Sequence, residues 1–255
     1  MHAVHDAHVH FAVPRATRRC HHRAMTHDTT PAAQAFDHLM RTRRSVRGFA
    51  PGRPVPRALL QQVLQTAACA PSNSNTQPWQ LHVLAGDALA ALSATLREAC
   101  DSGAAPAFSH FPDVLPERIA AHQADFGARY YAALGIDRAD TAARTAQTVR
   151  NYDFFGAPVG LVLTTHRSLR AHSWLDCGLF LQSLMLAAHA HGLATCPQVS
   201  FARFDALIGQ HLGLPADEVV VCGMSLGYAA ADAAVNRMAM PRRAVESFAR
   251  FRGFA

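Results

Sequence analysis

The stretch A-P-S-N-S-N-T-Q-P-W, residues 70–79, decides how the rest of this chain is read. Ser72 to Gln77 is an unbroken run of hydroxyl and carboxamide side chains, each able to donate and to accept hydrogen bonds. Pro71 and Pro78 fix φ on either side of it. A rigid, uncharged loop of this kind suits a flat heterocycle with many polar edge atoms. Ser, Asn and Pro also dominate ordinary solvated turns, so the loop alone leaves both readings open.

Immediately before it, Pro56 to Ala70 carries a helix pattern, with Leu59, Leu60, Val63, Leu64, Ala67 and Ala68 on one face. Immediately after it, Gln80 to Leu84 reads as a strand. Further upstream stands R-T-R-R-S-V-R-G-F, residues 41–49. In an extended chain Arg43, Ser45 and Arg47 point to one side, because strand side chains alternate. Two guanidinium groups flanking a hydroxyl make a seat for a phosphate or for the electron-rich edge of a ring. A solvated basic turn is the plainer alternative. A short helix is expected before this segment, with Thr30 as N-cap and Pro31 in the first helical position. Ala35, Phe36, Leu39 and Met40 give its apolar face.

The chain has 255 residues, half of them apolar, which is enough for one sizeable core. No apolar run approaches the roughly 20 residues that span a bilayer, so no membrane partner is expected. Lysine is absent, and any anion site must therefore use guanidinium forks. The formal charge of +6 is not gathered into one patch: residues 1–24 hold four Arg against one Asp. The remaining excess shows no basic helix, zinc-finger spacing or aromatic-basic RNA motif, so nucleic acid is not an expected partner. The six cysteines, Cys20, Cys69, Cys100, Cys177, Cys196 and Cys222, form no C-x-x-C. That pattern predicts free thiols in a reducing cytoplasm and no disulfide framework.

Residues 1–24 show no helix or strand period. His8-Val-His10 resembles the H-x-H pair that opens metal-dependent amidohydrolases, but the repeating strand-helix pattern of a barrel does not follow. No metal site is expected. There is also no apolar core of a secretory signal. Residues 1–24 are expected to be a disordered leader, upstream of a true start at Met25, and residues 25–255 a single folded domain.

R-R-S-V-R-G-F, then a helix, then A-P-S-N-S-N-T-Q-P-W and a strand together resemble the opening of the FMN-dependent nitroreductases in both order and spacing. The likeness runs from about Thr30 to the C-terminus. N-Y-D-F-F-G-A-P, residues 151–158, is similar to the branch that includes nitrobenzoate reductases. The resemblance implies an α+β fold in which a mostly antiparallel sheet is wrapped by helices. It also implies an intertwined homodimer with two flavins at its interface. Arg43, Arg44, Ser45 and Arg47 of one subunit, and Pro71, Ser72, Asn73 and Asn75 of the other, would bind FMN. The implied reaction is ping-pong: NADH or NADPH gives hydride to flavin N5 and leaves, and a small nitroaromatic or quinone-like substrate takes the electrons. The cofactor carries the chemistry, so no catalytic side chain is expected, in keeping with the lack of a triad or paired-carboxylate motif.

The later chain is read in the same light. Residues 87–157 are expected to be mainly helical, with helices from Glu117 to Leu134 and from Thr141 to Arg150. Family members vary most here, over the mouth of the flavin, and Arg118, Arg129 and Tyr130 are candidates for gripping a substrate carboxylate. Phe154 and Phe155 read as core. Val159 to Thr165 reads as a buried strand. Leu175 to His191 is apolar almost all round, which predicts burial on every side, and Gly192 ends it. The resemblance places this helix in the dimer core. His189 and His191 sit at its C-terminal end, where a partly positive imidazole is favourable.

The turn C-P-Q-V-S, residues 196–200, is similar to the family loop whose backbone amides face the reactive edge of the flavin, and it contributes Gln198, Val199 and Ser200. Cys196 has no base near it in sequence and reads as a packed thiol. Glu218 to Leu226 is the strongest strand pattern. In N-R-M-A-M-P-R-R, residues 236–243, Arg237 and either Arg242 or Arg243 fill the places that close on the FMN phosphate. Ala239 stands where the branch often has an arginine. Phe248, Phe251 and Phe254 suit docking on a partner subunit. The same fold also hosts dehalogenation and ene-type reduction, and a low-turnover flavin-binding or redox-sensing protein is a further alternative.

Overall fold

Thr30 Oγ1 accepts the Ala33 N–H at 3.2 Å and Pro31 takes the first helical position, so α1 spans Pro31–Thr42 as its sequence predicts. The computed structural model describes residues 30–103, 111–169 and 171–254. The leader, with His8 and His10, and the expected start at Met25 lie outside the described residues. No residue of α1 is buried. Its apolar face is open, with Phe36 54% and Met40 44% exposed.

Four strands form one sheet: β1 (Trp79–Ala85), β2 (Val159–His166), β3 (Ala194–Gln198) and β4 (Glu218–Gly227). Their order is β1-β2-β4-β3, and every neighbouring pair is antiparallel. A parallel bridge from Ser45 to Thr195 adds the arginine segment beside β3, with the Val46 N–H donating to the Thr195 carbonyl at 3.0 Å. The sheet is thus mostly antiparallel, as expected.

Helices cover both faces, which is why β2 reads as a continuous apolar run. Successive side chains of β2 still go to opposite cores. Val162 joins Leu92, Leu96, Phe154, Phe155, Phe201 and Ile208, between the sheet and the helices α3 (Gly86–Asp101) and α7 (Asp205–Leu212). Leu161 and Leu163 join Leu60, Val63, Phe180, Leu184 and Met224, beneath α2 (Arg57–Ala67) and α6 (Ala171–Ala190). Each such buried side chain stabilises the fold by about 1.5–3 kcal/mol. Close ring packing requires glycine in the sheet: a Cβ on Gly223 would stand 2.6 Å from the Phe201 ring, and one on Gly160 would stand 2.7 Å from Phe154. Phe154 and Phe155 are core, as expected, although both take positive φ (49° and 54°).

Helices α4 (Glu117–Leu134) and α5 (Thr141–Val149) follow their predicted patterns, with Gly135 at φ 67° closing α4. Two expectations are corrected. Residues 196–200 are not a plain turn: Cys196 to Gln198 are strand, in register with Ser225 to Gly223, and a 3-10 turn begins at Val199. Helix α6 is not buried on every side within one chain, because Leu175 is 66% and Leu179 38% exposed. Its inner face is tied down by Phe180, whose ring stacks on Trp79 at 4.9 Å.

Candidate functional site

The bridge from Ser45 to Thr195 sets the arginine segment beside β3. Val46 and Phe49 enter the core, while Arg43, Ser45 and Arg47 line a cavity of about 660 Å³. Arg44, Arg242 and Phe126 also line it, and no Asp, Glu or His does so among the described residues. The Arg43 guanidinium is pushed below its usual range, first by burial and then by Arg242. Two guanidinium groups lining one cavity, with no carboxylate paired to either among the described residues, form a site for an anion.

Asn236 holds this segment in place. Its Oδ1 accepts the Arg47 N–H at 3.0 Å, and its Nδ2 donates to the Gly48 carbonyl at 2.7 Å and the Ala230 carbonyl at 3.1 Å. The approach is close enough that a Cβ on Gly48 would lie 2.7 Å from the Ala233 Cβ. Arg44 donates to the Met238 carbonyl at 3.3 Å, and Arg242 to those of Met240 and Pro241 at 3.1 Å each. Of the other basic residues here, Arg243 turns to Ser247 and Arg237 donates to the Ala231 and Asp232 carbonyls. Neither lines the cavity. Ala239 is exposed, between Met238 and Met240, which do line it.

The polar loop is a second, separately built piece. Ser74, Asn75 and Gln77 adopt left-handed φ of 51°, 57° and 46°, a strained region for residues other than glycine. The strain is held by the Gln77 N–H donating to Ser72 Oγ at 2.9 Å and Thr165 Oγ1 donating to the Pro78 carbonyl at 2.8 Å. The Asn73 N–H donates to buried Asp176 on α6. Near the other end of α6, His189 Nε2 lies 2.8 Å from Thr42 Oγ1, next to Arg43. At 1.5 Å per residue, about 20 Å of helix separates Asp176 from His189. Pro71, Ser72, Asn73 and Asn75 accordingly line no part of the arginine cavity of their own chain.

At the end of β3 the Gln198 side chain is buried, accepting from Ser225 Oγ at 2.7 Å and donating to the Asn151 carbonyl at 2.5 Å. What it can offer a ligand is backbone. Val199 is exposed and Ser200 half-buried beside it. The Cys196 thiol is pushed up by burial, against the opposing pull of Arg47 and Arg43. It is a packed thiol.

Arg118, Arg129 and Tyr130 do not converge. Arg129 is held by Asp125, one helical turn back, at 2.9 Å. Tyr130 is buried with its hydroxyl accepting from Gln147 Nε2 at 2.7 Å, and Arg118 is exposed in the first turn of α4. Sequence reasoning missed Phe126, Asn236 and Asp176. For Asp176 a signal existed: it is the one carboxylate in α6, and a buried carboxylate needs partners.

Among the described residues, no three His, Cys, Asp or Glu side chains are placed to hold a metal ion, and no helix is long and apolar enough to cross a membrane. The Nitroreductase family model matches residues 40–228, from the arginine segment to the end of β4. The chain belongs to the Nitroreductase family. Among curated members of this family, 4-nitrobenzoate reductase of Pseudomonas putida is 48% identical over 219 residues, covering 86% of this chain and 96% of the relative. Chloronitrobenzene nitroreductase of Comamonas testosteroni is 40% identical over 224 residues, covering 87% and 98%. Among solved nitroreductase structures, the FMN-dependent NfnB of Mycobacterium smegmatis in complex with NADPH superposes with a TM-score of 0.82 at 36% identity, covering 87% of this chain and 99% of that one.

Proposed function

We propose that this nitroreductase is an FMN-dependent NAD(P)H oxidoreductase that reduces small nitroaromatic compounds. The observation that carries the proposal is the arginine cavity without a carboxylate, built by the R-R-S-V-R-G-F segment. Bound FMN would supply the redox chemistry, taking hydride from NADH or NADPH and passing electrons to the nitroarene, as the names of the relatives and of NfnB suggest. The residues present fit that group. Arg43 and Arg242, which line the cavity together, bind the phosphate, and Arg44 lines it beside them. An extended segment rises about 3.3 Å per residue, which puts Arg47 about 13 Å from Arg43. Arg47, beside the Phe126 ring, therefore serves the isoalloxazine end, and Ser45 donates or accepts between the two.

The remaining donors come from a second copy of the chain. Pro71, Ser72, Asn73 and Asn75 are tied to α6 about 20 Å of helix away from where it meets the segment that carries their own arginines, so a homodimer completes each site. The open apolar faces of α1 and α6 support this, because Phe36, Met40, Leu175 and Leu179 need cover. Phe248, Phe251 and Phe254 at the exposed C-terminus supply further apolar surface for the partner. The backbone at Gln198, Val199 and Ser200 offers N–H groups to developing negative charge. Among the described residues no Asp, Glu or His lines the cavity, so its side chains bind and orient only. The free thiols suit a cytoplasmic protein.

The test is the visible spectrum of the purified protein, followed by anaerobic addition of NADH or NADPH and then a nitroarene. Flavin bands that bleach with the nicotinamide and return with the nitroarene are expected. A protein that neither carries nor takes up FMN would overturn the proposal. One that bleaches but is not reoxidised by nitroarenes would be a flavin-binding or redox-sensing protein.

A further inference from the structure

Arg47 is held by two aromatic rings rather than by a carboxylate. Its Cζ lies 5.3 Å from the Phe126 ring centroid and 5.2 Å from that of Tyr130. The two rings are 5.4 Å apart and within 13° of parallel, one helical turn apart on α4. Among the described residues no Asp or Glu pairs with Arg47, and the side chain's hydrogen bond is a long one, to the Ser45 carbonyl at 3.4 Å. The rings are fixed in turn. Tyr130 is buried, Tyr131 tilts against it at 5.3 Å, and buried Gln147 of α5 donates to its hydroxyl. The other end of Arg47 is fixed through its N–H by Asn236.

The partner chemistry has a consequence for the cavity. A carboxylate would neutralise the guanidinium and consume its N–H donors. A ring face attracts the cation through its quadrupole and leaves charge and donors available. We infer that Phe126, Tyr130 and Gln147 are positioning residues that hold the Arg47 guanidinium, charged and with its donors free, against the ring end of the flavin. The inference rests on the function proposed above. It gives α4 and α5 control over the charge that the reduced flavin meets. A cation fixed there favours the more negative reduced form over the oxidised form, so it raises the midpoint potential. Tyr130 thereby acts on the cofactor through Arg47 and not on the substrate carboxylate.

The test compares Tyr130→Leu, Phe126→Leu and Tyr130→Phe holoproteins by spectroelectrochemical midpoint potential and by FMN Kd. Tyr130→Leu is expected to weaken the preference for reduced over oxidised FMN by about tenfold, a drop of about 30 mV for a two-electron couple. Tyr130→Phe keeps the ring and is expected to stay within a third of that shift. In an Arg47→Gln background the Tyr130→Leu shift is expected to vanish, because its route runs through Arg47. Flavin-loaded Tyr130→Leu with an unchanged potential would overturn the inference, as would a shift that persists in the Arg47→Gln background. If Tyr130→Leu does not fold, Phe126→Leu is read in the same two backgrounds with the same criteria. Wild type that takes up no FMN would overturn both this inference and the proposed function, whereas wild type that binds FMN with unshifted variants would overturn the inference alone.

Discussion

The Asn73 N–H donates to both carboxylate oxygens of Asp176, at 3.2 and 3.3 Å, so the strained polar loop is anchored on the one buried acid of α6. Hydrogen bonds to charged groups contribute about 1.5–3 kcal/mol. Asp176→Ala is expected to cost stability of that order in urea denaturation and to weaken FMN binding, because Ser74, Asn75 and Gln77 lose the tether that holds their positive φ. Asp176→Asn keeps one oxygen acceptor and is expected to lose less. Equal stability in all three proteins would remove Asp176 from this role.

A charge placed on the open face of α6 tests the dimer. Leu175 is exposed in the single chain but needs cover in a dimer, so Leu175→Glu is expected to shift the protein from dimer to monomer in analytical ultracentrifugation. Flavin is expected to be lost in step, since the loop of one copy and the arginines of the other then separate. A monomer that retains FMN at full affinity would show that each chain holds its own cofactor.

The arginine pair gives a prediction about the phosphate. Arg242→Gln removes one guanidinium beside Arg43. The loss of about 1.5–3 kcal/mol from one charged hydrogen bond corresponds to roughly tenfold to hundredfold weaker FMN binding. Riboflavin, which lacks the phosphate, is expected to bind wild type and variant alike. Fluorescence titrations with both flavins decide the matter; a parallel loss for riboflavin would place Arg242 at the ring instead.

His189 carries a pH dependence. Its imidazole is held below the ordinary histidine range by burial first, then by Arg43 and by His38. This runs against the favourable positive charge expected for a helix C-terminus, chiefly because burial disfavours the charged imidazole and secondly because Arg43 stands near it. The unfolded chain takes up a proton near pH 6.5 that the folded chain resists. The stability is therefore full above about pH 6.5 and falls as pH drops through that value toward the lower folded pKa. Melting temperatures between pH 7.5 and 5 are expected to fall less steeply in His189→Gln than in wild type. An identical slope would exclude His189 as a source.

Local chemistry in the sequence was sufficient for much of this architecture. Thr30 and Pro31 start α1 because a hydroxyl cap and a preset φ act within one turn. Arg43, Ser45 and Arg47 line one cavity, as alternation along an extended segment predicts, although Arg44 lines it too. The apolar runs at β2 and β4 announce buried strands through composition alone. Other features depend on partners distant in the chain. Cys196-Pro197-Gln198 has no period of its own and becomes strand only because β4 offers it a register. Tyr130 meets Gln147 through its hydroxyl and Arg47 through its ring only because three segments remote in sequence pack together there.

The sequence by itself determined the family, the residue chemistry of the arginine segment and the polar loop, and the starting points of α1, α4 and α5. Those follow from side-chain types at short separations. The tertiary structure alone decided that the loop and the arginine segment meet α6 about 20 Å of helix apart, that Arg242 and not Arg237 lines the cavity, and that Phe126 and Tyr130 flank Arg47. Each of these depends on packing between segments remote in sequence, where one helix length or one buried donor outweighs any local preference.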